Sequence, residues 1–422
     1  MDDITRTYLD RTPGSAARAE RRASVFPGGD FRAAAWHRPY PLTVASAAGP
    51  WLRDVDGHEY LDLLGNYTAL VHGNAHPAIV EAASRAVAGG TCWAAANDPM
   101  VELAELLVDR VASVDQVRFC NSGTEATMHA AMVAREVTGR STVLMARYGY
   151  HGSYDDYEAG NLGHPGPKTA VAPFGDAAAF EAVLTERGDE IACVILEPVM
   201  GSSGVVAAPP GFLARVAEAA RAAGALFVLD EVITFRLATG GAQALAGVEP
   251  DLTTFGKLIG GGFPVGALGG HTEILAVTDP ARGRLPLSGT FNANPVTMAA
   301  GAAAVRELTG DRIADIDRWC SRLADGLIKA AADHGVPFSV RRAGSLLNVY
   351  LSAEPPASVP QRTDGDLMAS FHLACLDNGL FFAPRGLLAT STVFSDALVD
   401  TAVDRAERAF ADVAAAAGTP SA

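Results

Sequence analysis

From about Asn66 onward, short apolar runs alternate with longer stretches in which apolar residues recur at helical spacing. The longer stretches, such as Glu125–Glu136 and Gly211–Ala223, predict helices. The apolar runs predict buried strands. The predicted strands are Gln116–Cys120, Thr142–Ala146, Cys193–Glu197, Leu226–Asp230 and Leu252–Phe255. Continuous apolar strands separated by helices are typical of an α/β fold with a mainly parallel sheet that is buried on both faces.

Two local patterns precede this alternating region. An amphipathic helix is predicted from Ser15 to Ala23. It stops at the helix breaker Phe26-Pro27-Gly28-Gly29. A β-hairpin is predicted further on, where strands at Trp51–Val55 and Tyr60–Leu63 flank the turn signal Asp56-Gly57. Both patterns indicate an N-terminal arm that folds outside the large sheet.

A change of pattern after about Asn294 suggests a second domain. There a long predicted helix, Met298–Leu308, leads into a region with its own helices and strands. We therefore expect an N-terminal arm with part of a small domain at residues 1–64. A large domain is expected at residues 65–295, and a C-terminal small α+β domain at residues 296–422.

Composition narrows the class of protein. The chain has 422 residues, of which 49% are hydrophobic and 19% are charged, so a globular protein is expected. A formal net charge of −15 argues against nucleic acids or anionic membranes as main partners. The beginning of the sequence has no secretory signal pattern, and the five cysteines form no C-x-x-C pair. We expect a cytoplasmic protein without a metal site.

Lys257 is the first candidate for chemistry. It stands just after the predicted strand that ends at Phe255, and three glycines, Gly260–Gly262, follow it. Its neighbours are small or apolar, and desolvation of that kind favours the neutral, nucleophilic form of an amine that Schiff-base formation needs. The glycines allow the backbone to approach a bulky ligand closely. Taken alone, a lysine at the end of a strand is in most cases a solvated surface residue.

Asp230 stands at the carboxyl end of another apolar strand, which is where ligands bind in open parallel sheets. A carboxylate beside a pyridine nitrogen keeps that nitrogen protonated and makes the ring a better electron sink. Helix capping or a surface charge would explain Asp230 by itself. Lys257 and Asp230 together indicate a site for pyridoxal 5'-phosphate.

Three further segments fit the same cofactor. Ser122, Gly123 and Thr124 follow a third strand and open a helix, an arrangement that binds phosphate through backbone N–H groups and the helix dipole. Thr290 offers another hydroxyl, and Tyr150 offers an aromatic face for stacking. Each of these is weak alone, because ordinary helix capping and core packing explain them too. The sequence lacks G-x-S-x-G, H-E-x-x-H and G-x-x-x-x-G-K-[ST], so hydrolytic and nucleotide-binding interpretations have less support.

Taken in order and spacing, these segments resemble the class III aminotransferases of PLP fold type I. The resembling segments are Asn121–Ala126, Tyr150–Gly152, Leu229–Val232, Thr254–Lys257 and Gly289–Phe291, and the likeness extends from about Pro27 to Asp400. Within that class the chain is similar to glutamate-1-semialdehyde aminomutases and, more closely, to β-amino-acid (β-phenylalanine type) aminotransferases. The closer likeness rests on Pro27–Arg32, Asp230–Leu237 and Phe382–Gly386.

The resemblance implies a role for each matching residue. Lys257 would form the Schiff base with pyridoxal phosphate and shuttle the proton, and Asp230 would pair with the pyridinium nitrogen. Val232 and Tyr150 would sandwich the ring. The phosphate would be bound by Ser122, Gly123 and Thr124, joined by Thr290 of the other subunit in a homodimer that shares its active sites. Arg32 and Arg385 would bind substrate carboxylates, although both are also plausible as surface arginines.

Two segments depart from the pattern of that subgroup. Asn66–Asn74 differs from the usual residues at the mouth of the active site, and the segment after Gly152 is unusually acidic. Its acids Asp155, Asp156 and Glu158 either select a polar or cationic substrate or belong to a solvated loop. The expected function is amino transfer between an amino acid, with β-amino acids among the candidates, and a keto acid. An aminomutase, a decarboxylase or a carbon–carbon-forming enzyme is the alternative, because all of these need the same cofactor residues.

Overall fold

The computed structural model describes residues 3–30, 32–356 and 366–418 of the chain. The chain forms two compact units, which we call the terminal and the central unit. The terminal unit comprises Met1–His76 and Ala314–Ala422, and the central unit comprises Pro77–Ile313. The central unit is therefore continuous in sequence, whereas both ends of the chain build the terminal unit. The domain boundaries expected after residues 64 and 295 stay predictions.

The described residues form helices and strands in the following order. The helices are α1 (Asp3–Arg11), α2 (Pro13–Ala23), α3 (Gly65–Thr68), α4 (Pro77–Gly89), α5 (Asp98–Arg110), α6 (Gly123–Thr138), α7 (Asp155–Asn161), α8 (Ala177–Arg187), α9 (Phe212–Ala222), α10 (Gly241–Ala246), α11 (Thr272–Leu275), α12 (Pro295–Glu307), α13 (Gly310–Asp333), α14 (Asp366–Asp377) and α15 (Asp396–Gly418). The strands are β1 (Val44–Ala48), β2 (Trp51–Asp54), β3 (Glu59–Asp62), β4 (Gln116–Cys120), β5 (Thr142–Ala146), β6 (Thr169–Ala172), β7 (Ile191–Leu196), β8 (Val199–Met200), β9 (Val206–Ala207), β10 (Leu226–Asp230), β11 (Leu252–Gly256), β12 (Gly266–Gly270), β13 (Ser339–Ala343), β14 (Leu346–Tyr350), β15 (Leu380–Phe381) and β16 (Leu387–Ala389). No helix in these residues is both long and apolar enough to cross a membrane.

A seven-stranded sheet, counted over the described residues, organises the central unit in the order β4-β12-β11-β10-β7-β5-β6. Strand β12 is antiparallel to both of its neighbours. The pairs β11–β10, β10–β7, β7–β5 and β5–β6 are all parallel. Strands β5 and β7 are buried along their whole length, as expected for a sheet covered on both faces. The predicted α/β fold with a mainly parallel sheet is confirmed.

The apolar pattern predicts five of the seven described strands of this sheet but not β6 or β12. Strands β4, β5 and β10 have the predicted bounds, and β7 and β11 differ by one or two residues at their ends. The sequence of β12, Gly-Ala-Leu-Gly-Gly, contains none of the β-branched residues that signal a strand. Its glycines are required by close packing, because a Cβ atom at Gly266 would overlap the backbone carbonyl of Ser122.

The terminal unit contains two smaller sheets among the described residues, β1-β2-β3-β15 and β13-β14-β16. The predicted hairpin is confirmed, since β2 and β3 pair antiparallel with Leu52 opposite Tyr60. Helices α14 and α15 pack on each other, and the rings of Phe371 and Phe410 stack there at 4.7 Å. Helix α1, which the sequence pattern does not predict, buries Tyr8 in the same core.

Candidate active site

Lys257 follows β11 directly and begins a short 3-10 helix, Lys257–Gly260. Its backbone has a φ of 48°, a left-handed conformation that non-glycine residues rarely adopt. Such strain is concentrated at functional sites. The sequence contains three lysines, and Lys168 and Lys329 are exposed whereas Lys257 is half-buried. Lys257 is thus the lysine whose surroundings fit the predicted chemistry.

Asp230 ends β10, the strand next to β11 in the sheet, and lies opposite Thr254 in parallel register. It is 4% exposed. One carboxylate oxygen accepts hydrogen bonds from the backbone N–H of Val232 at 3.0 Å and from the Thr254 hydroxyl at 3.1 Å. The other oxygen lies 2.8 Å from Nδ1 of His151. Three hydrogen-bond donors therefore hold the buried Asp230 carboxylate at the carboxyl edge of the sheet. Lys257 follows β11 at the same edge.

Sequence reasoning missed two members of this cluster, His151 and Glu197. His151 is buried, and its Nε2 atom has no hydrogen-bond partner among the described residues. Glu197 follows β7 and is buried too, with its carboxylate accepting from the backbone N–H groups of Tyr150 at 3.0 Å and Gly201 at 3.3 Å. Its position at the end of a predicted strand, like that of Asp230, is the signal that was available.

The electrostatics of Glu197 differ from those of an exposed carboxylate. Burial raises the pKa of Glu197 from the ordinary 4.5 to about 7. The charge of Asp230 raises this pKa further, whereas His151 and the two backbone hydrogen bonds lower it. The cluster therefore contains two buried carboxyl groups, and burial favours the neutral form of Glu197.

The residues predicted to bind phosphate lie at the N-terminus of α6. Ser122 is its N-cap residue, and the hydroxyl accepts a hydrogen bond from the backbone N–H of Glu125 at 3.1 Å. The carboxylate of Glu125 in turn accepts from the backbone N–H of Asn121 at 2.5 Å. This reciprocal capping orders the first turn, in which Gly123 and Thr124 present N–H groups that lack an acceptor within the helix.

Val232 packs between Gly123 at the start of α6 and Gly256 at the end of β11. A Cβ atom at Gly123 would lie 3.1 Å from a Val232 methyl group, and a Cβ at Gly256 would lie 3.2 Å from the same methyl group. The latter position is also 3.5 Å from the Cα of Gly123. The absence of side chains at these two glycines therefore lets Val232, Gly123 and the start of the Lys257 helix meet.

The two remaining central-unit candidates are more exposed. Tyr150 is 44% exposed, and its backbone N–H is bound to Glu197. Thr290 is exposed, and its carbonyl accepts a contact from the Cys92 thiol at 3.5 Å. Their contacts with cofactor or with a second subunit stay predictions.

Arg32 and Arg385 belong to the terminal unit, where each contacts a residue of α3. Nη1 of Arg32 donates to the side-chain oxygen of Asn66 at 2.5 Å. The guanidinium of Arg385 lies over the ring of Tyr67 at 5.6 Å. Two arginines from opposite ends of the chain thus contact adjacent residues, a convergence that the sequence pattern alone does not indicate.

The acidic segment after Gly152 forms helix α7 and is not a uniform charged loop. Asp156 makes a 2.7 Å ion pair with Arg135 of α6, and both side chains are largely buried. Asp155 and Glu158 are exposed. The ion pair gives Asp156 a structural partner, so selection of a cationic substrate by this segment would depend on the other two acids.

The residues of the central unit fit pyridoxal 5'-phosphate. Asp230 is a buried carboxylate suited to a cationic ring nitrogen, and Lys257 is an amine at the same sheet edge. The N-terminus of α6 suits the phosphate dianion. The absence of a side chain at Gly123 lets Val232 approach the start of α6 closely. Among the described residues, no cluster of metal-ligating side chains competes with this interpretation.

Comparison with known proteins defines the class. Residues 32–410 match the family described as aminotransferase class-III, and the chain belongs to this family. It is therefore an enzyme that uses pyridoxal 5'-phosphate.

Three relatives illustrate the range of this family. The chain is 38% identical over 415 residues to glutamate-1-semialdehyde 2,1-aminomutase of Anaeromyxobacter sp. (strain Fw109-5), covering 93% of this chain and 96% of that protein. It is 37% identical over 412 residues to beta-phenylalanine transaminase of Variovorax paradoxus, covering 95% and 93%. The crystal structure of an omega-transaminase from Sphaerobacter thermophilus superimposes with a TM-score of 0.91 at 39% identity, covering 96% of this chain and 99% of the other.

Proposed function

We propose that this enzyme transfers an amino group between an amino acid and a keto acid. The proposal rests on the convergence of Lys257, Asp230 and the N-terminus of α6 at the carboxyl edge of one sheet. When bound there, the cofactor supplies an electron sink for the substrate carbon that loses its proton. Roles for the surrounding residues follow from where their side chains lie.

Lys257 is the proton carrier in this proposal. Its amine takes a proton from the amino-bearing carbon of the substrate and returns it at the C4′ position of the cofactor. Asp230 keeps a negative charge against the ring nitrogen, and the 2.8 Å contact with His151 Nδ1 orients that carboxylate. Ser122, Gly123 and Thr124 bind the phosphate.

The proposed substrate carries a carboxylate. A guanidinium is the best-shaped partner for that group, and Arg32 and Arg385 would provide it. Similarity to beta-phenylalanine transaminase makes β-amino acids candidate donors. Tyr150 and Val232 would flank the cofactor ring. Thr290 would reach the phosphate of a second subunit, so we propose a homodimer with shared active sites.

The second candidate function is an aminomutase, which the similarity to glutamate-1-semialdehyde 2,1-aminomutase favours. A mutase has to retain its reacting molecule until the amino group has moved to the neighbouring carbon. A transaminase has to release a keto acid before the second substrate enters. The chemistry at Lys257 and Asp230 is common to both, so product analysis has to separate them.

The test combines site labelling with product analysis. Purified holoenzyme is reduced with borohydride and digested, and the cofactor should be recovered on the peptide that contains Lys257. Recovery on Lys168 or Lys329 would contradict the assignment of the site. The enzyme is then incubated with a panel of α- and β-amino acids without an acceptor, and with glutamate-1-semialdehyde. Release of a free keto acid from a panel member supports transamination, whereas isomerisation of the semialdehyde without any such release supports the mutase.

A further inference from the structure

Helix α3, Gly65–Thr68, is in fact a left-handed turn. Its φ angles are 54° at Gly65, 49° at Asn66, 56° at Tyr67 and 75° at Thr68. Glycine adopts this conformation freely and asparagine tolerates it, but tyrosine and threonine adopt it only at a cost in free energy. A run of strained residues persists only where the surrounding structure holds it in place, and such runs mark functional elements.

The anchoring of this turn is visible in the terminal unit. One carboxylate oxygen of the buried Asp62 accepts hydrogen bonds from the backbone N–H of Leu64 at 3.0 Å and of Gly65 at 2.9 Å. The other oxygen accepts from the Asn74 amide at 3.1 Å. The carbonyl of Gly65 is bound by the N–H of Leu70 at 2.9 Å. These bonds fix the backbone on both sides of the strained residues.

The turn places two adjacent side chains against two arginines. Asn66 accepts a hydrogen bond from Arg32 at 2.5 Å, and the ring of Tyr67 lies 5.6 Å from the Arg385 guanidinium. An amide oxygen and an aromatic face both attract a guanidinium, yet neither contributes a full negative charge. Each of these two contacts therefore restricts the orientation of one guanidinium group.

We propose that the Gly65–Thr68 turn positions Arg32 and Arg385 for a substrate carboxylate, with Asn66 and Tyr67 as specificity-determining residues. This inference rests on the carboxylate-binding role that the proposed function gives to the two arginines. The strained backbone holds the Asn66 and Tyr67 side chains in place, and each side chain restricts the rotamers of one arginine. Less conformational entropy is then lost when the carboxylate binds.

The test at Asn66 uses two substitutions, of which only one adds a charge. Asn66→Asp keeps the acceptor and tolerates the left-handed backbone, but it puts a carboxylate where the substrate carboxylate must compete for Arg32. Asn66→Gly relaxes the backbone and removes the acceptor without adding charge. With β-phenylalanine as donor and 2-oxoglutarate as acceptor, KM for the donor should rise at least tenfold in Asn66→Asp. A smaller rise is expected in Asn66→Gly, and kcat should change less than threefold in both.

Tyr67 provides an independent arm of the test. Tyr67→Leu removes the ring face and should raise KM severalfold, whereas Tyr67→Phe keeps that face and should recover most of the loss. The carboxylate-free amine 1-phenylethylamine serves as a second donor. The ratio of kcat/KM for β-phenylalanine to that for 1-phenylethylamine should fall at least tenfold in Asn66→Asp. A general loss of folding would lower both values and leave the ratio unchanged.

The arginine variants separate the possible failures. If Arg32→Met or Arg385→Met raises KM for β-phenylalanine but the Asn66 and Tyr67 variants leave it within twofold, the inference about the turn is overturned and the proposed function stands. If both arginine variants leave KM unchanged, the carboxylate assignment fails and the inference fails with it. If the wild-type enzyme transfers an amino group from neither donor to 2-oxoglutarate, a binding assay replaces the kinetic one. Each variant is labelled with borohydride in the presence of β-phenylalanine, and the extent to which β-phenylalanine competes with labelling of Lys257 is compared among the variants. Equal competition in all of them would then overturn the inference.

Discussion

Replacing Glu197 by glutamine should make the stability of this enzyme less sensitive to pH. The Glu197 carboxyl group is buried behind the Tyr150 backbone, and burial raises its pKa to about 7. The folded protein therefore favours the protonated form. In the unfolded chain the same group ionises near the ordinary value for glutamate. Glutamine retains an oxygen that can accept the hydrogen bond from Tyr150 N–H, so the substitution mainly removes the titration.

The size and sign of the effect follow from proton linkage. Below pH 4.5 the Glu197 carboxyl group is protonated in both the folded and the unfolded protein, so it does not lower the free energy of unfolding. Between pH 4.5 and about 7 the unfolded chain loses this proton while the folded protein keeps it, so the wild type becomes less stable as the pH rises. The free-energy difference that corresponds to this displacement of the pKa is about 3 kcal/mol. Above pH 7 this loss of stability stays constant.

The measurement is urea unfolding of the wild type and of Glu197→Gln at several pH values between 4.5 and 8. The stability of the variant relative to the wild type should increase by about 3 kcal/mol over this range. Glu218→Gln, at an exposed position of α9, controls for the loss of one carboxylate. A relative stability of Glu197→Gln that stays constant within about 0.5 kcal/mol would show that Glu197 does not change its protonation in this range, and the argument from burial would be wrong.

Two further predictions concern the proposed site. Asp230→Asn should preserve the fold because it is nearly isosteric, but it should lower kcat/KM by at least 100-fold, or about 3 kcal/mol, through loss of the charge beside the ring nitrogen. Turnover within threefold of the wild type would mean that another group protonates the ring. If Thr290 completes the phosphate site of a second subunit, the active enzyme should sediment as a dimer at micromolar concentration, and Thr290→Ala should lower the affinity for the cofactor. A fully active monomer would contradict the shared site.

Four of the five strands in the parallel part of the central sheet could be predicted because they are short, continuous and apolar, whereas the short strand β6 was not predicted. Strands β5 and β10 have sequences that only a buried strand of this length explains easily, and their bounds agree with the prediction. Strand β12 could not be predicted, since close packing and not strand propensity selects its glycines: a Cβ atom at Gly266 would overlap the Ser122 carbonyl, and Cβ atoms at Gly269 and Gly270 would meet Val114 and Leu252. The left-handed turn at Gly65–Thr68 was hidden for a similar reason, because only its first residue is a glycine.

The candidate site was predictable to the extent that it depends on strand ends. Lys257 and Asp230 follow recognisable apolar runs, and adjacent parallel strands bring their ends to one edge. Residues that reach the site from loops could not be predicted in this way. The 2.8 Å contact of His151 with Asp230, for example, depends on how a loop folds back over the sheet. The ion pair of Asp156 with Arg135 likewise depends on the packing of α7 near α6.

The arginines show how sequence similarity and structure contribute separate information. Similarity to aminotransferases singled out Arg32 and Arg385 one at a time, and an isolated arginine with glycine or proline neighbours is consistent with a surface position. The structure adds that both contact neighbouring residues of one strained turn. Strain in that turn costs free energy that an ordinary loop would avoid. The positioning role that we propose for the turn gives a reason why the chain keeps Asn66 and Tyr67 in left-handed conformations beside the two arginines.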